Sequence, residues 1–243
     1  MPIPSLISLK KLAAPLRRLL ACGCAAGALF VGWSLSAPDL DRTQALALEK
    51  YGQRAADTIV AWRKMMNDAK GQPETDMVTT VNTFFNRRVL FEDDIVLWKV
   101  PDYWASPLEF MGRGAGDCED FAISKYITLR MLGISNDKLR MIYVRAQIGG
   151  ASSTTSVAHM VLGYYPEPNG EPLILDNLIG SVRPAANRTD LQPVFSFNSE
   201  GLWTPGATTS NSDPTPGCRA GVMSLTACAK KASFSHWRKA PCP

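Results

Sequence analysis

Between residues 40 and 86, apolar side chains recur at helical spacing. Ala45, Leu48 and Tyr51 form one set, Ile59, Trp62 and Met66 a second, and Met77, Val81 and Phe84 a third. Steps of three and four bring such residues onto one side of a helix, so each set reads as a buried stripe. Gly71 and Pro73 separate the second set from the third. Beyond Pro101 and Pro107, the chain runs through Gly112, Gly114 and Gly116 into Asp117, Cys118, Glu119 and Asp120. A helix is expected to start here. Asp117 suits the N-cap, and Asp120 three residues on imitates the second half of a capping box. Ala122, Tyr126, Leu129 and Leu132 supply its inward stripe, and Gly133 its stop. The period then changes to two, and Leu139 to Ala146, Ala158 to Tyr165 and Leu173 to Asn177 read as strands, with Pro166 to Glu171 as the turn between the last two. Helices, then a helix with strands packed on it, indicate an α+β fold with an antiparallel sheet.

At 243 residues the chain is long enough for one sizeable core. Its formal charge of +4 comes from Lys10, Lys11, Arg17 and Arg18, which precede the first acidic residue, Asp39; the other 22 basic residues match 22 acidic ones. No nucleic-acid partner is therefore indicated. Those four cations stand before an uncharged run, Leu19 to Ala37, as the basic and apolar regions of a secretory signal do. Residues 1–36 are expected to be a signal peptide, with the mature chain beginning near Ala37; an uncleaved anchor is the alternative, because the run is about long enough to span a bilayer. Residues 37–205 are assigned to the catalytic domain, and residues 206–243 to a linker and cysteine-bearing tail, since Thr208 to Pro216 is rich in Thr, Ser, Asn and Pro. Cys218, Cys228 and Cys242 in that tail are expected to form one disulfide, and Cys118 to be free. Zinc ligation by Cys218, Cys228, His236 and Cys242 is disfavoured because their spacing contains no compact ligand pair.

Only two histidines are present. Folding the hairpin symmetrically about its turn sets Asp176 opposite Val161, one diagonal step from His159 and on the same face of the sheet. Cys118, in the first turn of its helix, is favoured as thiolate by the backbone N–H groups there. Nucleophile, base and orienting carboxylate in this arrangement suit acyl chemistry. The bland alternative is a core cysteine and a structural histidine. Asp117, Glu119 and Asp120 disfavour a thiolate beside them, so either a hard dication such as Ca²⁺ offsets them or they serve the helix dipole alone.

Several ordered blocks narrow these choices. Tyr103, Trp104, Pro107 and Glu109; Gly116 to Ala122; Ala158 to Leu162; Leu175 to Asn177; and Pro193, Ser196 to Asn198 and Gly201 to Trp203 together resemble the LapG family of bacterial transglutaminase-like cysteine proteases. The resemblance implies a transglutaminase-like, papain-like fold and a triad of Cys118, His159 and Asp176. It also implies calcium at Asp117, Glu119 and Asp120. A periplasmic location follows from it, as does cleavage of the N-terminal region of a large LapA-like surface adhesin at a dialanine-type site, releasing biofilm. The implied regulator is an inner-membrane cyclic di-GMP receptor of the LapD type that sequesters the protease. Transglutaminase-type acyl transfer and a calcium-dependent binding module on an inactive scaffold are the rival activities. The three-cysteine tail has no counterpart in the resemblance.

Overall fold

The computed structural model describes residues 39–150, 153–168 and 170–210. Three helices come first: α1 (Leu40–Tyr51), α2 (Gln53–Ala69) and α3 (Glu74–Arg88). Asp39 caps α1, its Oδ1 accepting the N–H groups of Asp41 and Arg42, and Gly52 closes it at φ +85°, where only glycine is unstrained. The stripes of α2 and α3 are buried as the spacing predicts through Ile59, Trp62, Met66, Met77 and Val81, while Phe84 is only half-buried and its neighbour Phe85 takes the core position. The α1 stripe differs more. Ala45 and Leu48 face solvent, Ala47 is buried, and Tyr51 packs where α1 meets the later helix α5. A weakly apolar helix offers several near-equivalent phases, and the tertiary contact chooses among them.

Strand β1 (Leu90–Phe91) and helix α4 (Asp94–Leu97) follow, then α5 (Pro107–Arg113), strand β2 (Ala115–Gly116) and α6 (Cys118–Met131). The true capping box belongs to α5: Ser106 Oγ accepts Glu109 N–H and Glu109 Oε2 accepts Ser106 N–H, with Pro107 at the first helical position. Asp117 occupies the N-cap position of α6 but makes no capping hydrogen bond. Helix α6 is buried along nearly its whole length, with Phe121, Ala122, Ile123, Tyr126 and Leu129 in the main core, and Trp62 Nε1 of α2 donates to its Thr128 Oγ1 at 2.9 Å. Gly133, at φ +98°, lies just past its end.

The antiparallel sheet comprises β3 (Leu139–Gln147), β4 (Ser156–Tyr164), β5 (Leu173–Leu175), β6 (Arg183–Pro184), β7 (Leu191–Phe197) and β8 (Leu202–Trp203), in the order β6-β5-β4-β3-β7-β8. Met141, Met160, Leu162 and Leu175 join the helical core, whereas Ile142, Val144, Val161 and Ile174 make a smaller cluster against which Ala185 of the β6–β7 crossover and Leu191 at the start of β7 pack. Past residue 205, Ser210 Oγ bonds both the N–H and the C=O of Leu202. The expected leader and the tail cysteines lie outside the described residues.

Candidate active site

Cys118 is the first residue of α6, so the unpaired N–H groups of that helix start surround it. It is buried, at 1 % exposure, and counts among the core residues. The expectation of a free thiol is not met: Cys118 is disulfide-bonded. Its Sγ lies 2.8 Å from Glu119 Oε2.

His159 and Asp176 are brought together by the sheet. Strands β4 and β5 pair Leu162 with Leu175, and one further step sets Asp176 opposite Val161 and within diagonal reach of His159. The hairpin register is thus the symmetric one expected from the sequence. His159 Nε2 and Asp176 Oδ1 are 2.8 Å apart, and neither side chain is exposed. The same Oδ1 accepts Leu178 N–H at 3.0 Å, while Oδ2 accepts from Arg188 Nη2 at 2.6 Å. Asn86 of α3 donates to the Asp176 carbonyl at 2.6 Å, tying the segment down from the helical side. Burial pushes the Asp176 carboxyl upward. The hydrogen bond and charge of His159, together with the bonds from Leu178 and Arg188, outweigh it and hold the group well below the usual carboxylate range. His159 Nδ1 is buried without a hydrogen-bond partner among the described residues, so no hydrogen bond joins the ring to Cys118 here. With Nε2–H given to Asp176, Nδ1 is the nitrogen left to accept a proton. Lys125, two turns into α6, is also buried; burial lowers its ammonium to about 7, against an upward pull from Asp176.

Next to Cys118 stands an acidic cluster whose membership differs from the expected one. Asp94, Asp117 and Asp120 converge, each offering a carboxylate oxygen within 4.8 Å of the others. Asp94 arrives through a parallel two-residue ladder: β1 pairs with β2, Phe91 beside Gly116, so the chain enters α4 alongside the start of α6. Gly116 permits this approach, because a Cβ there would meet Asp120 Oδ2 and the Phe110 ring at 2.5 Å. Asp120 Oδ1 accepts Ala105 N–H at 2.7 Å, and Asp94 Oδ2 accepts Tyr103 N–H. Asp94 Oδ1, Asp117 Oδ1 and Asp120 Oδ2 remain buried without a hydrogen-bond partner among the described residues. Glu119 is not part of this convergence; its carboxylate reaches the Cys118 sulfur and hydrogen-bonds with Asp117.

Burial is the largest cause raising all these carboxyls, and their mutual charge adds to it: Asp94 is pushed up to about 6, Asp117 and Asp120 well above the carboxylate range, and Glu119 upward as well. Helix capping does not account for them, since Asp117 makes no side-chain capping bond and one oxygen of each aspartate is left without a partner among the described residues. Three hard, anionic oxygens of this kind fit Ca²⁺, which takes oxygen ligands and recruits carbonyls or water for the rest. Sequence reasoning missed Asp94 because only the acidic run Glu92 to Asp94 marks it, and nothing local links that run to residue 117. Arg188 was missed as well, its only local signal being the nearby Asp190.

Comparisons with known proteins identify the family. The family model for bacterial transglutaminase-like cysteine proteinase matches residues 42–195. LapG of Legionella pneumophila superposes with a TM-score of 0.62 at 38 % identity, covering 79 % of this chain and 96 % of that one. An EGTA-treated form of the same protein gives 0.63 with the same identity and coverage, and a calcium-bound form gives 0.62 at 38 % identity, covering 79 % and 98 %. No curated protein matches the chain. With its mixed helices and antiparallel sheet, and with this match over well over half its length, the chain belongs to the LapG-like family of bacterial transglutaminase-like cysteine proteinases.

Proposed function

We propose that this protein is a calcium-dependent cysteine endopeptidase in which Cys118 is the nucleophile, His159 the general base and Asp176 the group that orients the base. The observation that carries the reading is the imidazole of His159, held by Asp176 through Nε2 while Nδ1 stays buried with no hydrogen-bond partner among the described residues. In the reduced enzyme the Cys118 thiol gives its proton to Nδ1, and the thiolate attacks the peptide carbonyl. N–H groups at the start of α6 stabilise the oxyanion. His159 then returns the proton to the leaving amine, and water hydrolyses the thioester. Asp94, Asp117 and Asp120 hold calcium, whose charge offsets the carboxylates beside the thiol. The calcium-bound and EGTA-treated forms of Legionella LapG support that ligand. Glu119 acts from the Cys118 side of the cluster rather than from its centre.

By its family the enzyme works in the periplasm, exported through its N-terminal segment, and cuts a large LapA-like adhesin near its N-terminus at a dialanine-type site to release biofilm. A LapD-type cyclic di-GMP receptor in the inner membrane is its sequestering regulator. The test uses reduced protein with a candidate adhesin fragment, a primary amine donor, and either calcium or chelator. Cleavage that needs calcium and disappears in Cys118→Ala supports the reading. Amine incorporation without cleavage shows a transglutaminase, and neither product shows a binding module.

A further inference from the structure

The buried guanidinium beside the His159–Asp176 pair has no part in the reaction as drawn above. Arg188 follows the turn Ala185–Asn187 in the β6–β7 crossover and is 2 % exposed. The crossover is pinned at both ends, by Ala185 N–H to Pro172 O at 2.9 Å and by Gln147 N–H to Asp190 O at 2.8 Å. From there the guanidinium spans two carboxylates. Nε donates to Asp190 Oδ1 at 3.0 Å and Nη2 to Asp190 Oδ2 at 2.8 Å, and Nη2 also reaches Asp176 Oδ2 at 2.6 Å. Among the described residues, His159 from β4 and Lys125 from α6 also face Asp176.

We propose that Arg188 is a positioning residue for the base. Its planar fork, anchored by Asp190, takes Asp176 Oδ2 and so fixes Oδ1 against His159 Nε2, which leaves Nδ1 as the proton acceptor. The inference rests on the protease reading given above. Without the fork, Oδ2 is a buried anionic oxygen lacking its cation, and the carboxyl must rotate or take up a proton. Either response releases the ring. A lysine keeps the charge but cannot present two parallel donors to Asp190 while bonding Asp176.

The experiment compares wild type, Arg188→Gln and Arg188→Lys as reduced full-length protein with calcium. Steady-state cleavage is read alongside ¹⁵N spectra of the imidazoles, in which His159 needs separating only from His236. Arg188→Gln is expected to lose the slowly exchanging Nε2–H signal of His159 and to lower kcat about tenfold or more, with KM changed less than about twofold. Arg188→Lys should recover only part of both. A Gln variant with wild-type kcat and a wild-type His159 spectrum overturns the proposal. If that variant does not fold, Arg188→Lys decides: a changed signal with reduced kcat supports the fork, and wild-type values for both overturn it. If wild type cleaves no fragment, the protease reading fails by itself, while the spectra still show whether Arg188 governs the His159–Asp176 bond.

Discussion

Asp176 and the Asp94, Asp117 and Asp120 cluster are all buried, yet their carboxyls are displaced in opposite directions. Asp176 meets an imidazole, a guanidinium and a backbone N–H. Among the described residues, no lysine or arginine forms an ion pair with the other three. Burial alone therefore does not set a carboxylate's state; the source of the compensating charge does. One site builds its cations into the chain. The other has no built-in cation among the described residues, and under the proposed function it takes calcium from solution.

The largest effect is expected where the built-in compensation is broken. Asp176→Asn should lower kcat by about 10³ to 10⁴, the scale seen when an orienting carboxylate is lost, and should leave Arg188 with only Asp190. Turnover near wild type would mean that another group orients His159. Next comes removal of calcium. Chelation should abolish cleavage, and saturating calcium at about a hundred times its Kd should stabilise the fold by about 2.7 kcal/mol, read as a rise in unfolding temperature. Equal melting curves with and without calcium would sink the assignment.

The pH dependence should separate the two sites by sign. Carboxyls raised in the folded state bind their protons more tightly when folded, so the calcium-free protein should lose stability as pH climbs from the ordinary carboxylate range through about 6, where Asp94 titrates, and beyond. Asp176 is depressed, so its contribution is complete above the ordinary carboxylate range and is lost only as the pH falls well below it. Calcium-free protein should therefore melt several degrees higher at about pH 5 than at about pH 8, and calcium should narrow that gap. No gap in calcium-free protein would mean that the acidic cluster is already neutralised.

The smallest effect, and the sharpest, is expected of Asp94→Asn. It keeps an acceptor for Tyr103 N–H and removes one charge, so it should stabilise calcium-free protein at neutral pH by about 1 kcal/mol and weaken calcium binding about tenfold. Calorimetric titration reads the affinity directly. Unchanged affinity would remove Asp94 from the ligand set.

Much of this site was legible in local pattern. Cys118 at a helix start follows from the glycine-rich approach and the apolar stripe behind it, and both depend on residues within a few positions. His159 and Asp176 share a face because side chains alternate along strands and the turn between them fixes the register. The capping box of α5 was written in Ser106, Pro107 and Glu109, but the acidic residues after Asp117 imitate the same signal. Both segments satisfy the local rule, and only one forms the bonds.

The sequence by itself determined the N-terminal helices, α6 and the strands β3 to β5, the place of the cysteine in its helix and the pairing of histidine with aspartate, because each rests on a period or a turn. Tertiary structure alone decided which acids converge, which phase of α1 is buried and which cation holds Asp176. Asp94 meets Asp117 through a parallel ladder only two residues long, and Arg188 meets Asp176 across a crossover pinned to β3 and to the segment entering β5. Such encounters depend on long-range packing. Carboxylate and guanidinium groups carry no periodic mark of where they will be buried, so their partners appear only when the chain is folded.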